Sequence, residues 1–116
     1  MVLAIEERTN QPGVAVLEMK GRITLGNASQ EIEWKFADLM KRGEKKVIFD
    51  LAGIQIIDST GLGVLVTCFG RIRRAGGELR LSGLQPAVQD VLSMTSVDKV
   101  LAIFPSVAMA ADNFQP

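Results

Sequence analysis

Residues 56–63 read "IIDSTGLG", where an apolar run meets the start of a helical pattern. Upstream, Val47 to Leu51 is apolar with little alternation, the pattern of a strand buried on both faces. From Ser59 onward the period becomes helical. Leu62, Leu65, Val66, Phe69 and Ile72 form an expected inward stripe, and Arg71 and Arg74 lie near the negative end of the helix dipole. Strand, tight turn and helix in that order are the repeating unit of α/β proteins.

The same reading extends in both directions. Residues 2–7, "VLAIEE", and 14–19, "VAVLEM", are short β-type runs, and "NQPG" between them predicts a hairpin turn with Pro12 fixing φ and Gly13 free to take φ > 0. Asn27 opens a helical stretch with Gln30 placed for a capping box, and Ile32, Phe36, Leu39 and Met40 share one face. Lys41, Arg42 and Gly43 close that helix. After the Ser59 helix comes a strand, Glu78 to Ser82. Pro86 then starts a helix whose Val88, Val91 and Leu92 face inward. "KVLAIF" (99–104) reads as a last strand and "PSVAMAADNF" (105–114) as a last short helix. The expected fold class is α/β. One domain over 1–116 has an N-terminal β-hairpin and a mixed, mostly parallel sheet packed by about four helices.

Composition removes whole classes of function. The chain has 116 residues with 47% hydrophobic and 22% charged, the balance of one globular domain. It holds no His, no Tyr and one Cys, so a metal site built on His or several Cys is excluded, as is a disulfide within the chain. Without His, Ser59 has no partner for a Ser-His-Asp arrangement. Thirteen basic residues balance thirteen acidic ones, so nucleic acid is not an expected partner. No apolar stretch reaches the roughly 20 residues of a membrane span, and "MVLAIEERTN" lacks the features of a secretory signal. The expected location is the cytoplasm, with no membrane and no cofactor.

The turn itself allows two compatible readings. Ser59 can be an N-cap, with Thr60 serving if the helix begins one residue later; a cap contributes about 1 kcal/mol. But Gly61 and Gly63 each lower helix propensity by about 1 kcal/mol relative to Ala. They leave the backbone uncovered, as though another surface approaches Ser59 closely. A strand end followed by a helix N-terminus is also where open α/β sheets place their function, and its amides suit an added phosphate.

The resemblance to a known family rests on an ordered set of segments. "DSTGLG" opens a helix, "GGEL" precedes the next strand, and "PAVQDVL" is followed shortly by a Met. With "GRITLGNASQEIEWKF" (21–36), residues 47–104 resemble the STAS domain of the bacterial anti-sigma-factor antagonists over nearly the whole chain. The resemblance implies a non-enzymatic binding switch that regulates transcription. In that family the hydroxyl directly after the Asp is phosphorylated by an anti-sigma factor that is itself a serine kinase with a histidine-kinase-like ATPase fold. A PP2C-type phosphatase removes the phosphate. Carried onto this chain, the acceptor is Ser59, beside Asp58, and Thr60 is its neighbour. Thr24 stands where many antagonists carry an acidic residue, a difference that bears on partner choice.

The outward face of the Ser59 helix, expected to present Thr60, Gly63, Val64 and Thr67, would be a shallow docking surface together with Asp58, Ser59 and Gly61. Trp34 falls opposite Ile32 and Phe36 on the first helix, either as a partner anchor or as a ring lying flat on its neighbours. Cys68 is expected to pack as a small hydrophobe. The cluster Lys41, Arg42, Lys45 and Lys46 reads as a solvated helix end. Two other classes remain beside the switch: a STAS scaffold subunit of a signalling assembly not linked to a sigma factor, and an enzyme or nucleotide-binding domain. The last is disfavoured by the absence of His and of a P-loop lysine.

Overall fold

The hairpin opens the chain. Strands β1 (Leu3–Gln11) and β2 (Val14–Ile23) pair antiparallel across Pro12 and Gly13, and Gly13 takes φ 84°, which the turn requires of it. The computed structural model describes residues 3–114, so Val2 of the first expected strand lies outside the described residues. Helix α1 (Asn27–Lys41) leads to β3 (Lys46–Ile57), α2 (Ser59–Arg74), β4 (Glu78–Ser82) and α3 (Pro86–Met94). A short 3-10 turn (Val97–Lys99), β5 (Ala102–Phe104) and α4 (Val107–Ala111) complete the order. The five strands lie side by side as β1-β2-β3-β4-β5, with β2 through β5 parallel.

Alternation along the strands divides the core into two layers. On β2, Ala15, Leu17 and Met19 point to one face and Val14 and Val16 to the other; on β3, Val47, Phe49 and Leu51 oppose Ile48 in the same way. The first face is covered by α1, α2 and α3 through Ile32, Phe36, Leu39, Leu65, Ile72, Val88 and Leu92. The second is covered more thinly, by Ala110 and Ala111 of α4 and by Phe114. This two-sided burial is why Val47 to Leu51 carries so little polar alternation. Only Asp50 interrupts it, and Arg8 lies 3.7 Å from its carboxylate.

Three local expectations change. The capping box of α1 does not form: Gly26, at φ 112°, precedes the helix with no side-chain cap, and the Ser29 hydroxyl instead donates to the Thr24 carbonyl at 3.1 Å. Strand β3 runs six residues past Leu51 to Ile57, because β2 continues beside it. The last strand is shorter than "KVLAIF", since Lys99 belongs to the 3-10 turn and only Ala102 to Phe104 pair with β4. Pro86 does occupy the first turn of α3.

Leu65 is fully buried beneath α2. Leu65→Ala is expected to lower the unfolding free energy by about 2–5 kcal/mol, as for other truncations of core leucines. Urea denaturation checks this. A loss under about 0.5 kcal/mol, the scale of surface changes, would place Leu65 outside the core.

Candidate functional site

The helix cap is Asp58, one residue before the expected Ser59. Asp58 has extended backbone geometry, φ −107° and ψ −174°, and its Oδ1 accepts a hydrogen bond from the Gly61 N–H at 2.9 Å. Its carbonyl accepts the first helical bond, from the Leu62 N–H at 2.9 Å. A carboxylate here satisfies an otherwise unpaired amide and lies at the positive end of the helix dipole.

The second carboxylate oxygen reaches a different segment. Oδ2 accepts from the Leu25 N–H at 3.0 Å, and the Asp58 N–H donates to the Ile23 carbonyl at 3.2 Å. One side chain thus ties the loop after β2 to the start of α2. The Gly61 amide, and after it the Leu25 amide, holds the carboxyl below the usual carboxylate range, against an opposing desolvation effect.

With Asp58 acting as cap, the Ser59 hydroxyl has no capping role. Ser59 is the first residue of α2 and is exposed, whereas Thr60 is half-buried. The two glycines have different roles. A Cβ at Gly61 would lie 2.8 Å from Ile23 Cγ2 and from Ile57 Cγ1 and would press on the Ile23 carbonyl, so Gly61 lets α2 seat on the ends of β2 and β3. Gly61 is therefore buried packing, not an uncovered backbone. Gly63 has open space where its Cβ would be, and it alone keeps the expected role of a bare surface.

The helix is rotated slightly from the expected phase. Val64 is buried and Val66 is exposed, the reverse of their expected placement. Hydropathy cannot tell one valine from another; the close seat of Gly61 fixes the rotation, and burial then follows Gly61, Leu62, Val64, Leu65, Cys68 and Ile72. Ser59, Gly63, Val66 and Thr67 remain on the outside. Leu25, 78% exposed, and Ile56, 52% exposed, were not among the expected site residues. Leu25 is held next to the cap by its own amide, and Ile56 lies two residues before Asp58. The sequence signal for Leu25 was an apolar residue inside the turn "TLGN". Both leave apolar surface exposed near the Asp58 end of β3.

Cys68 is buried, and burial pushes its thiol pKa up to about 12, so it stays a protonated packing group. Among the described residues no group of three or more His, Cys, Asp or Glu side chains could hold a metal ion. No described helix is long and apolar enough to cross a membrane.

A parallel-rich sheet entered through a hairpin, with a capped Asp-Ser-Thr-Gly turn at the end of its central strand, defines a specific class of α/β domain. The chain matches the STAS domain over residues 7–110 and belongs to that family. BtrV of Bordetella bronchiseptica, provisionally named an anti-sigma factor antagonist, is 32% identical over 80% of this chain and 77% of its own length. The crystal structure of a protein from Thermotoga maritima, provisionally assigned the same role, superposes with a TM-score of 0.88 at 25% identity and covers 97% of this chain and 95% of its own. SpoIIAA of Bacillus in its phosphorylated form shares the fold with a TM-score of 0.73 at 16% identity, covering 95% of this chain and 98% of its own.

Two predictions separate the parts of this turn. Gly61→Ala is expected to destabilise the fold, while Gly63→Ala, free of contacts, is expected to stabilise it by up to about 1 kcal/mol through helix propensity; equal effects in urea denaturation would contradict the two roles. Asp58→Ala is expected to lose about 0.5–2 kcal/mol near neutral pH. Because the Asp58 pKa is depressed on folding, that contribution is complete above the ordinary value of 3.8 and is lost as pH falls through the lower folded value. The stability gap between wild type and Asp58→Ala should accordingly narrow in acid. A gap that widened there would reverse the sign.

Proposed function

We propose that the protein is a cytoplasmic, phosphorylation-controlled binding switch: an anti-sigma factor antagonist that docks a serine-kinase anti-sigma factor through the exposed side of α2 while Ser59 is unmodified. The observation that carries this reading is the division of labour at the turn. Asp58 caps the helix, leaving the adjacent hydroxyl exposed on the side of α2 that carries Gly63, Val66 and Thr67. The names of its relatives support an anti-sigma factor as partner. The phosphorylated form of SpoIIAA supports the idea that this fold carries a phosphate without losing its architecture.

The modification step would join the Ser59 Oγ to the γ-phosphorus of ATP bound by the kinase. The bond to ADP breaks as the new O–P bond forms, and the hydroxyl proton passes to a base on the kinase. A PP2C-type phosphatase would reverse the state by hydrolysis. Phosphate brings about −1.5 to −2 charges. The free amides and dipole of α2 attract that charge, and the Asp58 carboxylate repels it, so the two effects oppose each other and the fold survives. The docked complex does not: a doubly charged, strongly hydrated group would have to be desolvated against apolar surface with no cation to receive it.

Ser59→Ala is expected to take no phosphate and to bind the partner constitutively, and Ser59→Asp to bind at least about tenfold more weakly, a change of roughly 1.4 kcal/mol. Gly63→Arg is expected to weaken binding on a folded protein. Calorimetry with the purified kinase, and mass spectrometry of the modified chain, read these outcomes. Phosphate found only on Thr60, or equal affinity of the modified and unmodified forms, would defeat the switch. The latter result would favour a scaffold role.

A further inference from the structure

Strand β1 is the long open edge of the sheet. It pairs only with β2 among the described residues, and at nine residues it far exceeds β5, the three-residue strand at the opposite edge. Along its first half the odd-numbered side chains face α1: Leu3 is buried, Ile5 packs against the core, and Glu7 lies 2.7 Å from Arg42. Glu6 and Arg8 point to the other face, where Arg8 lies 2.8 Å from Glu18. Beside this edge, Trp34 is 64% exposed, and with Ile5, Glu31, Lys35 and Asp38 it lines a shallow groove of about 290 Å³. The flank of α1 beside the open edge thus carries one exposed aromatic ring among charged side chains.

We infer that this edge pairs with a second copy of the chain, β1 against β1 antiparallel about a two-fold axis, joining two sheets into one. Charges on an edge strand ordinarily deter such pairing, but here one register turns them into opposite-charge pairs. Opposed residues in an antiparallel pair share a face, so the axis must pass through a residue of β1. An axis through Glu6 opposes two unrelieved carboxylates, and one through Arg8 opposes two guanidinium groups, each with its own Glu18, and forms no opposite-charge pair across the seam. An axis through Ile5 pairs no charges. An axis through Glu7 sets each Glu6 opposite the partner's Arg8, twice, and Ile5 opposite the partner's Thr9. The two Glu7 carboxylates that then meet each have their own Arg42. Opposite charges directly across an antiparallel pair are the favourable arrangement. The partner's strand, about 4.8 Å from β1, then lies beside the groove that Ile5 and Trp34 line, so Trp34 loses water on association. The contact is isologous and closes at two copies. It does not use Ser59.

Sedimentation velocity of the full chain from about 5 to 500 μM should show reversible growth to the mass of two chains, a dissociation constant in roughly the micromolar to hundred-micromolar range. Trp34 is the sole tryptophan, so its emission should shift to the blue over the same range. Glu6→Arg and Arg8→Glu should each weaken self-association by at least about tenfold, since each opposes like charges in both pairs. Mixing the two variants should restore the dimer, because every new cation then faces a new anion. If Arg8→Glu fails to fold for want of its Glu18 contact, Glu6→Arg and Trp34→Ala, both at exposed positions, carry the test. A wild-type chain of single-chain mass at every concentration would overturn the inference. So would a dimer indifferent to Glu6→Arg and Trp34→Ala, or two folded charge variants that stay apart when mixed.

Discussion

The Asp58 carboxylate is the constraint on which the turn into α2 depends. Its two oxygens take amides from two segments, Leu25, 33 residues upstream in the loop after β2, and Gly61 in the first turn of α2. The backbone N–H of Asp58 adds a third link, to Ile23. Carboxylate-to-amide bonds are stronger than neutral ones, and these converge on a side chain at the end of the central strand. They set where the exposed Leu25 stands relative to Ser59. Any charge added at Ser59 is therefore added next to the group that holds the loop in place.

The length of β3 explains why Ile56 is exposed. Its ladder with β4 ends at Asp50 and Ser82, whereas its ladder with β2 continues to Ile57. The chain turns away from β3 after β4 at Gly83, whose φ of 71° favours glycine and where a Cβ would lie 3.1 Å from that of Ala52. The Ala52 carbonyl, freed from the ladder, accepts from the Gln85 side chain at 2.8 Å. An exposed backbone acceptor thus keeps a partner although the sheet has narrowed. Past that point β3 projects beyond β4, and Ile56 is left facing solvent.

Elsewhere the charges serve the fold. Arg80 is sandwiched between Phe104 and Phe114, with its guanidinium carbon 5.2 Å and 4.1 Å from the two ring centres, and donates to the Ala110 carbonyl. That cation fastens the C-terminal helix to the thinly covered face of the sheet. Arg71 lies 5.6 Å from the centre of the Phe36 ring, tying α2 to α1. A chain with no net charge uses much of it in this way, and the turn at Ser59 is left without a cation of its own among these contacts.

Periodicity alone carried most of the architecture, because burial on one or both faces writes itself directly into apolar spacing. Val47 to Leu51, the Pro12–Gly13 hairpin and the stripe of Leu62, Leu65 and Ile72 stand where their patterns put them. The family, too, was legible, because the ordered turn motifs survive as residues. What sequence could not decide was any choice between chemically equivalent options. Asp58 and Ser59 are both good caps, and the selection went to the side chain that could also reach the Leu25 amide across the fold. Val64 and Val66 are equal in hydropathy, and the helix phase was set by how closely Gly61 approaches Ile23 and Ile57. Gly61 and Gly63 look alike in the chain, yet one lies against a strand end and the other faces open space. Residue type and spacing determine which elements form; only the packing of distant segments against one another decides which of two similar neighbours is buried, bonded or free.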